Sequence, residues 1–301
     1  MKLTDYASNV YSQYGEDGII QEIVRRIQLD YFKPLGTCVE FGASDGLACS
    51  NTANLWRHQN WIGLLIEADG NYLTTLSHNA VGHNVTVKID TVTPSNVDSL
   101  IGKDVDLLSI DIDGDDFWVF CSMHTRAKVL LIEYNRTIPP HLDLVPKLGS
   151  KLGIGARTLV NAAAERGYTF LGLTEGNCIF VDTSYDYLFD DLEKDLAVLQ
   201  PPESFMYLAT DFEGRIIPLG HTPPWGLAWP KSATQFRPNQ DGLLDIQAIE
   251  STERVLTGLD SLEVIASHIA DLRSAAMQSL VEQGWDGAWD VPNKGASNAD
   301  T

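Results

Sequence analysis

Positive charge is scarce in this 301-residue chain: 21 Lys+Arg stand against 41 Asp+Glu, a formal net charge of -20 at pH 7. A field of that sign repels polyanions and anionic headgroups, so the expectation is no nucleic-acid and no membrane partner. Apolar runs of the roughly 18–20 residues that span a bilayer are missing, and the N-terminal Met1–Ala7 lacks the apolar core of a secretion signal. The expectation is a soluble, cytoplasmic protein. Cysteine is sparse too. Cys38, Cys49, Cys121 and Cys178 lie far apart and never form Cys-x-x-Cys, which disfavours both a zinc knuckle and a disulfide framework. No internal repeat is visible.

What remains is an ordinary globular composition, with 44% hydrophobic and 9% aromatic residues, enough to bury a sizeable core. Ile19, Ile20, Ile23, Val24 and Ile27 share one face of a helix, within an N-terminal lid and helix over 1–30. Five apolar runs follow, each closed by an acid: Thr37–Phe41 containing Glu40, then Trp61–Ile66 with Glu67, Val85–Ile89 with Asp90, Val105–Ile110 with Asp111, and Val129–Ile132 with Glu133. Helical stretches at 50–59, 72–79, 115–123 and 156–166 separate or follow them, and 168–173 with 178–181 reads as a strand pair. Alternation of this kind predicts an α/β fold with a mostly parallel sheet and helices on both faces, spanning 31–183. Prolines and aromatics crowd 184–240, a substrate-side segment of loops. Leu256, Leu259, Leu262, Ile265, Ile269, Leu272, Ala276 and Leu280 then form a near-heptad stripe. It predicts a C-terminal helix over 241–283, a seam for homo-oligomers, before a polar tail at 284–301.

Ligands of an open parallel sheet bind outside the carboxyl ends of its strands, so the five strand-end acids should face one crevice. In the first turn, Glu40-Phe41-Gly42-Ala43-Ser44-Asp45-Gly46, two glycines permit a tight bend and a close approach to a ligand. A dinucleotide turn would read Gly-x-Gly-x-x-Gly; here Ser44 and Asp45 intervene, and an acid opposes a pyrophosphate. Glu67, ending the second strand, suits both hydroxyls of a ribose. A nucleoside with a cationic far end is thereby indicated, and S-adenosylmethionine has a ribose, a sulfonium and an ammonium but no phosphate.

Several strings occur in order: Ser12-Gln13-Tyr14-Gly15-Glu16-Asp17-Gly18, Val39 to Gly46, Ser50-Asn51-Thr52, Leu65-Ile66-Glu67-Ala68-Asp69, Leu107 to Gly114, and Ile132-Glu133-Tyr134-Asn135. Together, over roughly 10–182, they resemble the FkbM-type group of S-adenosylmethionine-dependent methyltransferases. The resemblance implies a Rossmann-like methyltransferase sheet. It further implies that Glu40, Phe41, Gly42, Ala43 and Asp45 surround the methionine end, Glu67 the ribose, and Asp90 or its neighbours the adenine, with Ala68 and Asp111 also among the cofactor-binding residues. Many such relatives methylate hydroxyls of sugars or secondary metabolites, so the acceptor it implies is a small molecule or glycan.

Four acids fall in the six residues Asp111-Ile112-Asp113-Gly114-Asp115-Asp116. Mutual repulsion raises carboxylate pKa values unless a cation or a donor neutralises the cluster. Either Asp111 or Asp113 is a general base, with Glu133 nearby, or several of these acids hold a divalent metal. Asp111, Glu133 and Asn135 also resemble the Asp, Asp, Asn set of magnesium-dependent catechol-type O-methyltransferases, which implies Mg2+ on those three. Asp115 and Asp116 read as helix caps that face solvent. The segment 12–17 reads as a lid over the cofactor with Tyr14 in contact, or as a capping motif of Ser12 and Asp17. On the acceptor side stand Tyr14, Asn135 and, among the histidines, His124 and His221. Two further readings stay open: a nucleotide-dependent oxidoreductase, and a non-catalytic nucleoside-binding or assembly protein.

Overall fold

A computed structural model of the chain describes residues 1–31, 36–201, 205–210 and 216–220. In chain order the elements are α1 (Glu16–Tyr31), β1 (Thr37–Phe41), α2 (Ala53–His58), β2 (Ile62–Glu67), α3 (Leu73–Ala80), β3 (Val85–Ile89), α4 (Val97–Ile101) and β4 (Val105–Ile110). There follow α5 (Asp116–Ser122), β5 (Ala127–Glu133), α6 (Ala156–Glu165), β6 (Tyr168–Leu173), β7 (Asn177–Asp182), α7 (Leu196–Leu199), β8 (Met206–Thr210) and β9 (Ile216–Gly220). Strands β8 and β9 form a two-stranded sheet. The other seven make one sheet in the order β3-β2-β1-β4-β5-β7-β6.

Strands β1 to β5 are parallel, and β7 runs antiparallel to both β5 and β6. The reversal follows from connection length: parallel neighbours need a crossover helix, whereas residues 174–176 are a short turn that can only fold β7 back on β6. The chain winds one way from β1 to β2 and β3 and the other way to β4 and β5. A crevice therefore opens at the carboxyl ends of β1 and β4.

Alternation along the strands splits the core into two layers. On β5, Leu130 and Ile132 join one cluster with Val97, Leu100, Phe117, Phe120, Leu159 and Ala163 of α4, α5 and α6. Val129 and Leu131 join the other, with Ile19, Ile20, Ile23, Val24, Ile27, Leu55, Trp56 and Leu76 of α1, α2 and α3. All five aliphatics on the α1 stripe are at most 4% exposed, each contributing about 1.5–3 kcal/mol by burial. This is the expected Rossmann-like α/β layout with helices on both faces. The helix α4, five residues long and stopped by Gly102 at φ +80°, has no counterpart in the sequence reading.

Phe189, Leu192 and Leu196, at the start of the 184–240 segment, are buried against this core. The expected C-terminal helix over 241–283, its oligomer seam and the tail at 284–301 lie outside the described residues. Among the described residues no helix is long and apolar enough to cross a membrane.

One carboxylate ties the entry of the sheet together. Asp106 on β4 accepts hydrogen bonds from Gly36 N (2.8 Å), Thr37 N (2.9 Å) and Thr37 Oγ1 (2.9 Å) and pairs with Lys128 of β5. Burial pushes its pKa up, but Lys128 and the donated N–H groups outweigh that and leave it below the ordinary carboxylate value. The folded form thus holds its proton less tightly than the unfolded chain. Stability from Asp106 is complete above about pH 4 and is lost as pH falls through the folded-state value. In urea titrations at a series of acidic pH values, Asp106→Asn should flatten the acid limb of the stability curve. An unchanged limb would assign acid sensitivity to other groups.

Candidate active site

Turns at the carboxyl ends of β1 to β5, the segment 13–16, residues 149–151 and the β6–β7 turn enclose a cavity of about 790 Å3. Gly42 is what allows β1 and β4 to end so close together. Its φ is +70°, and a Cβ there would sit 1.8 Å from the Asp111 carbonyl oxygen. Four described non-glycine residues have positive φ, and three of them, Ser44, Cys49 and Asp113, lie on the cavity wall. Such backbone conformations cost about 1–3 kcal/mol each and persist where the surroundings enforce them, commonly at ligand sites.

Nine carboxylates line this cavity (Glu16, Glu40, Glu67, Asp69, Asp90, Asp111, Asp113, Asp115 and Glu133) against a single described cation, Lys151. Glu40 and Glu67 are among those built into the loops. Glu40, buried on β1, accepts from Ser50 Oγ (2.7 Å), Asn51 N (2.7 Å) and Thr52 Oγ1 (2.6 Å), so it clamps the approach to α2. Burial raises its pKa, and those donors oppose the rise. Glu67 accepts from Ser44 N (2.7 Å) and Asp69 N (2.8 Å), which joins the β1 and β2 turns and leaves further lone pairs on each oxygen.

Across the cavity, one oxygen from each of Asp111, Asp113 and Glu133 lies within 4.8 Å of the others. Burial pushes Asp111 and Glu133 above the usual range. The Asp116 charge adds to the rise at Asp111, and the Asp111 charge to that at Glu133. Burial and mutual repulsion thus hold both carboxyls above the ordinary carboxylate range. Beneath them Asp116 is 2% exposed and accepts from Ile112 N (2.7 Å) and Gly114 N (2.9 Å). Burial takes its pKa to about 6. This corrects the expectation of a solvent-facing cap: its side chain turns inward to hold the Asp111–Gly114 turn. Asp115 likewise makes no cap; it accepts from Gly149 N at 2.7 Å.

In the 12–17 segment the capping contacts of Ser12 and Asp17 are present. Ser12 Oγ accepts from Asp17 N (3.0 Å), while Asp17 Oδ2 gathers the N–H groups of Val10, Tyr11 and Ser12, each at 2.8 Å. Tyr14 meanwhile lines the cavity, and burial raises its phenol pKa. Holding this segment over the sheet is Glu16, which accepts from Thr174 Oγ1 (2.6 Å), Asn177 Nδ2 (3.1 Å) and Tyr14 N (2.8 Å).

Of the expected residues, the cavity brings together Tyr14, Glu40, Phe41, Gly42, Ala43, Glu67, Ala68, Asp90, Asp111, Asp113 and Glu133. Asp45 is not among them, because its carboxylate turns back to accept from Leu47 N and Ala48 N, both at 2.8 Å. Nor is Asn135, whose Oδ1 takes Thr137 N and Thr137 Oγ1 while its Nδ2 donates to Leu152 O. Neither end of that amide is left for a metal or an acceptor. His124 is exposed and bonded to Asp98, away from the wall. His221 lies outside the described residues. Sequence reading missed Glu16, Lys151 and Asn177; the nearest signal was Glu16, within the quoted 12–18 string.

No protein-family model matches the chain, and no curated protein does either. Solved structures do show similarity. The plantazolicin methyltransferase BamL, in complex with SAH, is 11% identical over 50% of this chain and 63% of its own, with a TM-score of 0.37. This chain thus spans under two thirds of that protein. A putative caffeoyl-CoA O-methyltransferase from Staphylococcus aureus is 13% identical over 59% and 87%, TM-score 0.36. CalS10, a SAM-bound amino pentose methyltransferase from Micromonospora echinaspora, is 14% identical over 58% and 99%, TM-score 0.35. Likeness at this level leaves function to be argued from the site.

Proposed function

We propose that this chain is an S-adenosylmethionine-dependent methyltransferase of the FkbM type that methylates a hydroxyl of a small molecule or glycan. The observation that carries this reading is the cavity's charge: nine carboxylates and one lysine at the carboxyl ends of a Rossmann-like sheet. Such a wall repels a dinucleotide's phosphates and favours a nucleoside that ends in positive charge. The residues present fit that group. Glu67 has lone pairs free for a ribose diol, the Gly42 turn admits close approach of a ligand to backbone, and Asp90 with Thr91–Pro94 borders the β3 side.

When bound, this cofactor supplies an electrophilic methyl group on a sulfonium. The chain's own residues position the acceptor hydroxyl in line and take its proton. Asp111 is placed for the second task, at the carboxyl end of β4 on the cavity wall with Asp113 and Glu133 close by. Closure by the Tyr14–Glu16 segment excludes water from that side.

Calorimetric titration with S-adenosylhomocysteine is the test. The expected result is micromolar binding, weakened by roughly tenfold or more in Glu67→Ala while the variant keeps its cooperative unfolding transition. No binding by the unaltered chain, or equal affinity in Glu67→Ala, would overturn the assignment.

A further inference from the structure

Tyr14 and Glu16 belong to the N-terminal segment, yet both line the cavity beside Gly176 and Asn177 of the β6–β7 turn. Glu16 is 1% exposed and divides its two oxygens between segment and turn. Its Oε1 accepts from Thr174 Oγ1 (2.6 Å) and Asn177 Nδ2 (3.1 Å), while its Oε2 accepts from Tyr14 N (2.8 Å). The turn is pinned in its own right just past the end of β5, where Tyr134 OH donates to Thr174 O and Tyr134 N to Gly176 O, both at 3.0 Å. Glu16 thus ties the backbone of Tyr14 to a fixed support. Gly176 completes the seat: a Cβ there would lie 3.1 Å from both Cδ2 and Cε2 of Tyr14, tighter than an ordinary van der Waals contact.

Position along the sheet decides what Tyr14 meets. Glu67 and Asp69 follow β2, and Asp90 to Pro94 follow β3, at one end of the order β3-β2-β1-β4-β5-β7-β6; that is the side assigned to the nucleoside. The β6–β7 turn lies toward the opposite end. The Tyr14 hydroxyl makes no hydrogen bond to another described residue, and burial helps it keep its proton. It is therefore a spare donor in a wall built mostly of carboxylate acceptors. Such a group suits an uncharged oxygen, the hydroxyl or ring ether of a sugar or polyol, whereas an anionic acceptor would be repelled by the nine carboxylates.

We propose that Tyr14 binds the acceptor, a neutral sugar or polyol, and that Glu16 is the positioning residue that sets it, with Gly176 as the seat of its ring. The acceptor role rests on the methyl-transfer reading; the positioning role does not. Both Glu16 oxygens face only donors, so Glu16→Gln, almost unchanged in size, sets an amide N–H against another donor whichever way it turns. With the amide oxygen kept at the two turn donors, its nitrogen faces Tyr14 N and the hold on Tyr14 is lost.

The experiment labels the full chain with 3-fluorotyrosine and assigns the Tyr14 fluorine signal as the one missing from Tyr14→Phe. Without any ligand, Glu16→Gln should move that signal and raise its H2O–D2O isotope shift toward that of exposed Tyr72, while buried Tyr168 stays in place. Gly176→Ala, whose added methyl meets only the Tyr14 ring within 4 Å, should move it too. A Tyr14 signal unchanged in both variants, or a shift that Tyr168 shares, overturns the positioning role. Methyl glycosides of neutral hexoses, pentoses and 6-deoxyhexoses are then titrated with S-adenosylhomocysteine present. A saturable displacement of the Tyr14 signal is expected, weakened roughly twofold to tenfold in Glu16→Gln. No displacement by any glycoside, where calorimetry shows S-adenosylhomocysteine bound, overturns the acceptor role and leaves the methyl-transfer reading standing. Failure to bind S-adenosylhomocysteine removes that reading and the acceptor role with it, and the ligand-free comparison still decides Glu16.

Discussion

Gly42→Ala should lower stability by about 2–5 kcal/mol and abolish S-adenosylhomocysteine binding. Two costs combine. A left-handed backbone costs an L-residue about 1–2 kcal/mol, and a methyl 1.8 Å from the Asp111 carbonyl forces the ends of β1 and β4 apart, an overpacking worth about 1–3 kcal/mol. The displaced turn also carries Ser44, whose N–H bonds Glu67, so the damage reaches the proposed ribose contact. Gly82 provides the comparison. Its φ is +82°, but a Cβ there would meet nothing within 4 Å, so Gly82→Ala should show only the conformational part, about 1–2 kcal/mol. Urea midpoints of the two variants measure the difference. If Gly42→Ala were no more costly than Gly82→Ala, the close approach of the two strands would be refuted.

Glu40→Ala should be the most damaging single truncation on the cavity wall, at about 3–5 kcal/mol. Ser50 Oγ, Asn51 N and Thr52 Oγ1 converge on that one carboxylate in a buried environment. Its removal strands three donors, each costing about 1–3 kcal/mol. Asn51 is itself bonded to Ser109 of β4, so the loss loosens the α2 approach from the sheet as well. Equilibrium unfolding in urea, followed by tryptophan fluorescence, reads the effect through buried Trp56 on α2. A loss below about 1 kcal/mol, the worth of an ordinary hydrogen bond, would show that the loop holds without Glu40.

Much of the sheet was legible because parallel strands covered by helices are written as short, largely apolar runs, and β1 to β5 begin and end within two residues of the runs read from sequence. Helix α4 was not, since five residues are too few to show a period. Within the site, the acids at the ends of β2 to β5 were legible as a set because parallel strands deliver their carboxyl ends to one side. Which way a given side chain turns from there was not. Asp45 and Asn135 look as suitable as Glu67, yet local N–H groups capture both. Asp116, expected in solvent, is drawn inward by two N–H groups of its own turn. Glu16 and Asn177 escaped notice for a different reason: their positions at the cavity depend on strand β7 running backwards, and no single stretch of sequence states that.

The bond from Asn177 to Glu16 spans 161 positions of chain. During synthesis, strands β1 to β5 and the helices between them can pair with neighbours already made, but the cavity acquires its wall opposite Glu133 only when β7 emerges and doubles back. Contacts this distant in sequence bear a loop-closure cost and form late in a folding reaction. A nascent chain halted before β7 would carry nearly all of the acidic cleft with one side open. Ligand-binding competence should therefore appear as the final event of folding, well after the parallel sheet has set.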